Sequence, residues 1–572
     1  MAQQRGARSA RDHALAVLRV RNTAVAVALL PAAVAAVVLT AQATGRLPGG
    51  WTPLRWTVLV AAGVLSALAV AIASVIVRAR PPVTPTVAVP EESGPALHGL
   101  IRELAARLGV PPPGGIALTP DCDSWLEEPA HRRRPAARRA RPGARYDDGE
   151  PPPPAPGPVL VIGSPFLWWM RVSELRALLA PVVAGTAPSA HPDIAAARRC
   201  VRGLDAAAAA GGPRRPLLCC TARLARLMLR AAARHAAEME RGVAAAASAH
   251  AQRFDPGPRP AVQEQVGLAY AGWDRLLTRV ASPAWRAGRR PVLLNEGVVA
   301  ALTELSRRDR LAEGFAGRLA ERSASELLAD PGAVDREVSL LAARLFAPSP
   351  PGGAELLPVE WPAYPAEVVD RIWRERAGRL AAALGVSGAE ADGAPGPSSS
   401  SGRGGGPAAA TLTALLRRLA GDSASVGSAG PGAAGPGAGV GVRAGGPEAA
   451  DVLAARVVAE TARAARPQGV PGGPEGPAAV LVHRGFPAQP PRTGRELLVE
   501  HIAAAVCRAT ADATGARAGL DWLDGPVLLT DGERRPDLVE PVQALVDSGD
   551  SGPLLAWLAD AGVRGDAFAR LG

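Results

Sequence analysis

Four side chains of metal-ligand type fall close together along the chain: His191 and Asp193, then His235 and Glu238 one helical turn apart. Imidazole and carboxylate groups in such a set can gather a divalent ion, or can serve as solvent-facing groups and helix caps. Met239 stands where the inverted HxxEH motif needs its second histidine, so no zinc motif is complete here. Five cysteines, Cys122, Cys200, Cys219, Cys220 and Cys507, form no CxxC pair and no disulfide framework. The neighbours Cys219 and Cys220 are the pair with metal-binding or redox potential, against small buried thiols as the plain alternative. "VIGSPF" around Ser164 lacks the GxSxG nucleophile elbow. No phosphate-binding loop and no GxGxxG after a strand is present.

The elements that would position these groups begin with two apolar runs. Residues 22–45 carry no charge, and neither do residues 56–77. Each has about the 20 residues that a membrane-spanning helix needs, which predicts spans over 23–42 and 56–77. Pro31 lies in the first, where a kink is tolerated. Arginines at 5, 8, 11, 19 and 21 precede the first span and Arg78 and Arg80 follow the second, while the connection holds Arg46 and Arg55. By the positive-inside rule the N-terminus and the main body are cytoplasmic at the cell membrane, and the bilayer is the first expected partner. A long first span followed at once by a second is not a cleavable signal peptide.

Every one of the 64 basic residues is arginine, and Ala, Gly and Pro are abundant, the composition of a GC-rich genome. The high pI therefore says little about nucleic acid. Seven arginines between Arg132 and Arg145 sit in a Pro-rich insertion, 129–157, expected to be disordered. Near a membrane, the run Arg132–Arg145 suits anionic lipid contact; no aromatic residues are interleaved to stack bases, which argues against nucleic acid.

The fold class expected is mainly α with minor β. Residues 1–80 form the transmembrane hairpin and 81–250 an α+β domain. Residues 251–386 form a helical region, 387–447 a flexible Gly/Ala/Pro-rich linker, and 448–572 a small C-terminal α/β domain. Apolar spacing predicts a helix over 96–108, strands at 115–119 and 158–163, a helix starting at Ser173, and an amphipathic helix of six or seven turns from 221. The middle region is expected to be all-α, and the C-terminal domain to have strands at 478–483 and 525–530 flanking a helix at 493–514.

The order of these elements, with "LIRELAARLGVPPP", a short strand and then "PVLVIGSPFLWWMRVSELRALLA", resembles the HtpX-like and CAAX-prenyl-endopeptidase family of membrane zinc metallopeptidases over about residues 20–250. The resemblance implies that the helix opening "ELRALLA" should run into HExxH, where two histidines hold zinc and the glutamate activates water. Its first histidine falls on Pro181, the glutamate on Val182 and the second histidine on Gly185, none of which can ligate a metal or take a proton. The family's third ligand falls on Glu238 and the aspartate of its ExxxD on Gly242. Pro181 is expected to end or kink its helix. Glu238, with Arg234 four residues before it, equally suits a salt bridge.

The resemblance thus implies a catalytically inactive, metallopeptidase-like membrane protein that acts by binding a protein or peptide, with no catalytic residue and no cofactor. The alternatives are a zinc metalloendopeptidase with substituted ligands, with Glu238, His191, Asp193 and His235 as the metal candidates, and a membrane-tethered scaffold unrelated to proteolysis.

Overall fold

A computed structural model describes residues 2–44, 52–78, 84–127, 157–210, 216–254, 259–308, 321–347, 355–385, 407–419, 447–465, 492–535 and 537–563. About three quarters of the described residues are helical and the sheets are small, so the fold is mainly α with minor β. The chain divides into two compact units, the first made of residues 1–270, 312–341 and 475–481 and the second of the remainder.

In the first unit, α1 (Ala2–Ala43) and α2 (Thr52–Arg78) carry the two apolar runs, and both are long and apolar enough to cross a membrane. Pro31 is accommodated inside α1. A four-stranded sheet follows, in the order β1 (Val87–Val89), β2 (Gly115–Thr119), β4 (Val159–Gly163), β3 (Trp125–Glu127). β2 and β4 run parallel, Ile116 opposite Leu160 and Leu118 opposite Ile162, and both edge strands are antiparallel to them. β4, "VLVIG", is buried along its whole length, as an uninterrupted apolar run in a central strand should be.

Helix α3 (Pro95–Leu108) starts on a proline in its first turn and stops at Gly109, whose φ of 62° is the left-handed cap that glycine adopts without penalty. Its buried stripe, Leu97, Leu100, Ile101, Leu104 and Leu108, is the predicted one. After β4 come α4 (Ser164–Trp169), α5 (Val172–Ala184), α6 (Thr186–Ser189), α7 (Pro192–Ala209) and α8 (Pro216–Phe254). α8 makes about eleven turns rather than six or seven. α5 begins one residue before Ser173: the Glu174 carboxylate accepts from the Arg171 backbone N–H at 2.9 Å, while the Ser173 hydroxyl donates to Glu321 at 2.8 Å.

Pro181 does not end α5. The helix runs on to Ala184, and Gly185 N–H donates to the carbonyls of Pro181 and Val182. Leu179, Ala180 and Val183 are fully packed, and this burial holds the helical path across the proline.

The charged first part of α1 is no free tail. Ala10, Ala14, Val17 and Leu18 form a core cluster with Ile194 and Ala197 of α7 and with Ala232, Met239 and Val243 of α8. Gly6 and Gly242 make the close approach possible: a Cβ on Gly242 would sit 3.0 Å from the Gly6 carbonyl and from Ala10.

In the second unit the helix Asp370–Leu384 packs against Gly494–Thr514, joined by Arg508 to Asp370 and Arg376 to Glu500. The middle region is not wholly helical, because β5 (Arg289–Pro291) pairs in parallel with β6 (Leu357–Val359). These three-residue strands are too short for alternation to mark them. β7 (Arg517–Asp521), β8 (Gly525–Thr530) and β9 (Glu533–Arg534) form an antiparallel sheet, of which only β8 is expected from sequence. The buried Tyr364 hydroxyl donates to the Val280 carbonyl at 2.7 Å. The strand expected at 478–483, the run Arg132–Arg145 and most of 387–447 lie outside the described residues; within the last, Pro407–Leu419 is a helix rather than flexible chain.

Candidate functional site

The three positions on which the expected resemblance sets HExxH line one cavity. Pro181, Val182 and Gly185 form one wall of an open space of about 670 Å³. The opposite wall is α8, through Ala236, Ala237, Met239, Glu240, Val243, Ala244 and Ala247. β3 contributes Trp125 and Leu126, and α7 contributes Arg198, Val201 and Arg202. The cavity thus has an edge strand along one side, and most of its lining side chains are apolar.

Three of its polar groups, Arg198, Glu240 and Ser189, are held by one another. Arg198 grips Glu240 with two hydrogen bonds, 2.8 and 2.6 Å, and donates a third to Ser189 Oγ at 2.8 Å. This fork ties α7 to α8 along the lining of the cavity. A bidentate guanidinium–carboxylate pair has the geometry that holds such a tie in place. Sequence patterns single out neither residue, because Glu240 lies two positions past the expected ligand and Arg198 sits in an arginine-rich stretch.

Glu238 is not part of this wall. Its carboxylate pairs with Arg241 at 3.0 Å on the same helix, the salt-bridge role that sequence also allowed, with a different arginine than Arg234. His235 faces α1, its Nδ1 3.2 Å from Nδ1 of His13. His191 caps α7, accepting from the Asp193 N–H at 3.3 Å, and Asp193 is bound by Arg11 at 3.0 Å. The structure therefore keeps Pro181, Val182 and Gly185 together and disperses Glu238, His235, His191 and Asp193 among unrelated contacts. Among the described residues no group of three metal-ligating side chains comes together. A catalytic zinc does not fit this donor set, since a proline ring, an isopropyl group and a glycine offer no lone pair and the nearest acid is committed to Arg198.

Other nucleophiles are equally unsupported. Ser164 is fully buried, and its hydroxyl finds no hydrogen-bond partner among the described residues. The Cys122 thiol is buried beside Asp121 and Asp123; burial first, and the two carboxylates next, push it well above the usual thiol range, the opposite of activation. Cys219 and Cys220 belong to α8, half-buried and exposed respectively, and form no disulfide.

No protein-family model matches the chain, and neither does any curated protein or any solved structure.

Proposed function

We propose that the chain is a membrane-anchored, non-catalytic member of the metallopeptidase-like proteins it resembles, and that it holds an extended peptide without cutting it. The observation that carries this reading is the cavity between α5 and α8. It sits where a peptidase of that family would hold its substrate, is walled by Pro181, Val182 and Gly185, and has β3 as an edge strand beside it. An edge strand offers unpaired backbone N–H and C=O groups to an incoming strand, and apolar walls offer room for its alternate side chains. Cutting would need a polarised water and a base, and the residues at the motif positions supply neither.

In this reading α1 and α2 anchor the chain, and the arginines flanking them favour a cavity on the cytoplasmic side of the cell membrane. The bound chemistry is that of a protein or peptide partner, and the protein needs no cofactor for it.

The test begins with linear peptides selected on the full chain in nanodiscs. A selected peptide should be recovered intact after long incubation. Ala244→Trp, which places an indole in the cavity from an exposed position on α8, should weaken its binding about tenfold or more. Cleavage that a chelator abolishes would instead establish the zinc peptidase with substituted ligands. Equal binding to Ala244→Trp, or no binder at all, would leave the scaffold.

A further inference from the structure

The start of α8 carries an apolar, arginine-flanked face that packing leaves uncovered. Leu224 is 38% exposed and Leu227 62%, the latter matching Val27 at 65% in the apolar part of α1. Both lie on the helix side that also shows the exposed Cys220, and Arg223 and Arg230 are exposed beside them. From 216 to 237 the helix holds Arg223, Arg226, Arg230 and Arg234 and no acidic residue. Arg226 additionally donates to the Ala208 carbonyl at 3.1 Å, joining α8 to the end of α7.

The position of this face relative to the apolar helices identifies what covers it. α1 and α8 are antiparallel: Gly6 meets Ala246 and Gly242, Ala10 meets Gly242, and His13 meets His235. Carried along the same register, Arg21, the last charge before the apolar run, comes level with α8 near Leu227. A second helix gives the same level independently. Ile76, two residues before the end of α2, packs into the cluster of Leu204, Ala207, Ala208, Ala225, Met228 and Leu229, and its carbonyl lies 3.7 Å from where a Cβ on Gly203 would be. The first turns of α8 and the last of α7 therefore stand at the height where α1 enters and α2 leaves its apolar stretch.

We propose that the α7–α8 hairpin dips into the leaflet at that height, with Leu224 and Leu227 in the acyl boundary and Arg223 and Arg230 at anionic headgroups. An uncovered apolar face is costly in water but favourable at a lipid interface. Arginine stems can lie along the acyl surface while their charges reach phosphate. The acid-free composition of 216–237 fits an anionic surface and opposes entry of the hairpin as a third span. The inference rests on α1 and α2 lying in a bilayer, and it does not depend on what the cavity binds.

The test uses the full chain in vesicles of phosphatidylethanolamine and phosphatidylglycerol, with the native cysteines replaced and nitroxide labels placed one at a time at Val27, Leu224, Leu227 and Ala245. Labels at 224 and 227 should collide with dissolved oxygen more than with a water-soluble nickel chelate, as at 27; the label at 245 should do the reverse. If 224 and 227 behave like 245 while 27 is in lipid, the hairpin lies in water and the proposal is wrong. If 27 is also aqueous, the membrane anchorage falls and the proposal with it. Should the cysteine-free chain fail to fold, the native chain exposed to diazirine-bearing phosphatidylglycerol supplies the second measurement. Adducts within 216–230 are expected, and adducts confined to α1 and α2 would overturn the proposal.

Discussion

Gly242, the position on which the proposed resemblance would set the ExxxD aspartate, is a close-packing point between two helices. Its α-carbon faces the Gly6 carbonyl and Ala10 so closely that even a methyl group would press on α1. Gly242→Asp should therefore destabilise the α1–α8 contact by roughly 1–3 kcal/mol from overpacking alone, with a further cost for burying a carboxylate. Gly242→Ala should cost less. Thermal melting in detergent should rank the three forms in that order, and an unchanged midpoint for Gly242→Asp would mean that the helices do not pack here. A second residue-scale expectation concerns His501, in the other unit. Burial, the main cause, with Arg376 and Arg379 adding repulsion, lowers its pKa to about 4, against the hydrogen bond to the Leu497 carbonyl that raises it. The folded protein then binds fewer protons at this site than the unfolded chain between pH 6.5 and 4. Stability present above pH 6.5 falls as acid is added and is fully lost near pH 4, by about 2–3 kcal/mol. His501→Leu should remove that component of the acid sensitivity of the second unit, measured as the pH dependence of its melting midpoint.

At the scale of elements, α5, α7 and α8 are positioned by ties with unequal parts to play. The Arg198 side chain is only 16% exposed and that of Glu240 50%, so their fork is neither a free surface pair nor a buried one. Arg198→Ala should cost about 1 kcal/mol or somewhat more, and should also loosen α6, because Ser189 loses its donor. Hydrogen exchange should show faster opening at 186–200 with little change in α3. α3 offers the opposite case: Gly99 lies inside that helix with open space where a Cβ would go. Gly99→Ala should stabilise the unit by about 0.5–1 kcal/mol, read as a raised melting midpoint, since it lowers the entropy of the unfolded chain and meets nothing in the folded one.

For the whole molecule, the elements legible in the sequence were those whose pattern is their cause. The stripe of α3, the buried runs of β2 and β4, the apolar parts of α1 and α2 and the helix Gly494–Thr514 all follow from periodicity or composition. Less legible were features decided by tertiary contact. The helical path through Pro181 depends on the packing of Leu179, Ala180 and Val183. β5, β6, β7 and β9 are too short or too polar to declare themselves. At the candidate site, the grouping of Pro181, Val182 and Gly185 followed from their spacing on one helix. The replacement of Glu238 by Glu240 on the facing wall, and the capture of His235 by His13, required knowing which side of α8 meets α1.

That same meeting has a mechanical consequence. α1 is one continuous helix of about 63 Å, whose second half is apolar enough to cross a membrane and whose first half is clamped along α8. α8 is in turn a wall of the cavity. If the apolar half lies in a bilayer, as proposed, the helix is a lever with its fulcrum near Arg21: a change in bilayer thickness that tilts the outer arm would bend α1 at Pro31, slide the Gly6–Gly242 contact, or shift the α8 wall of the cavity.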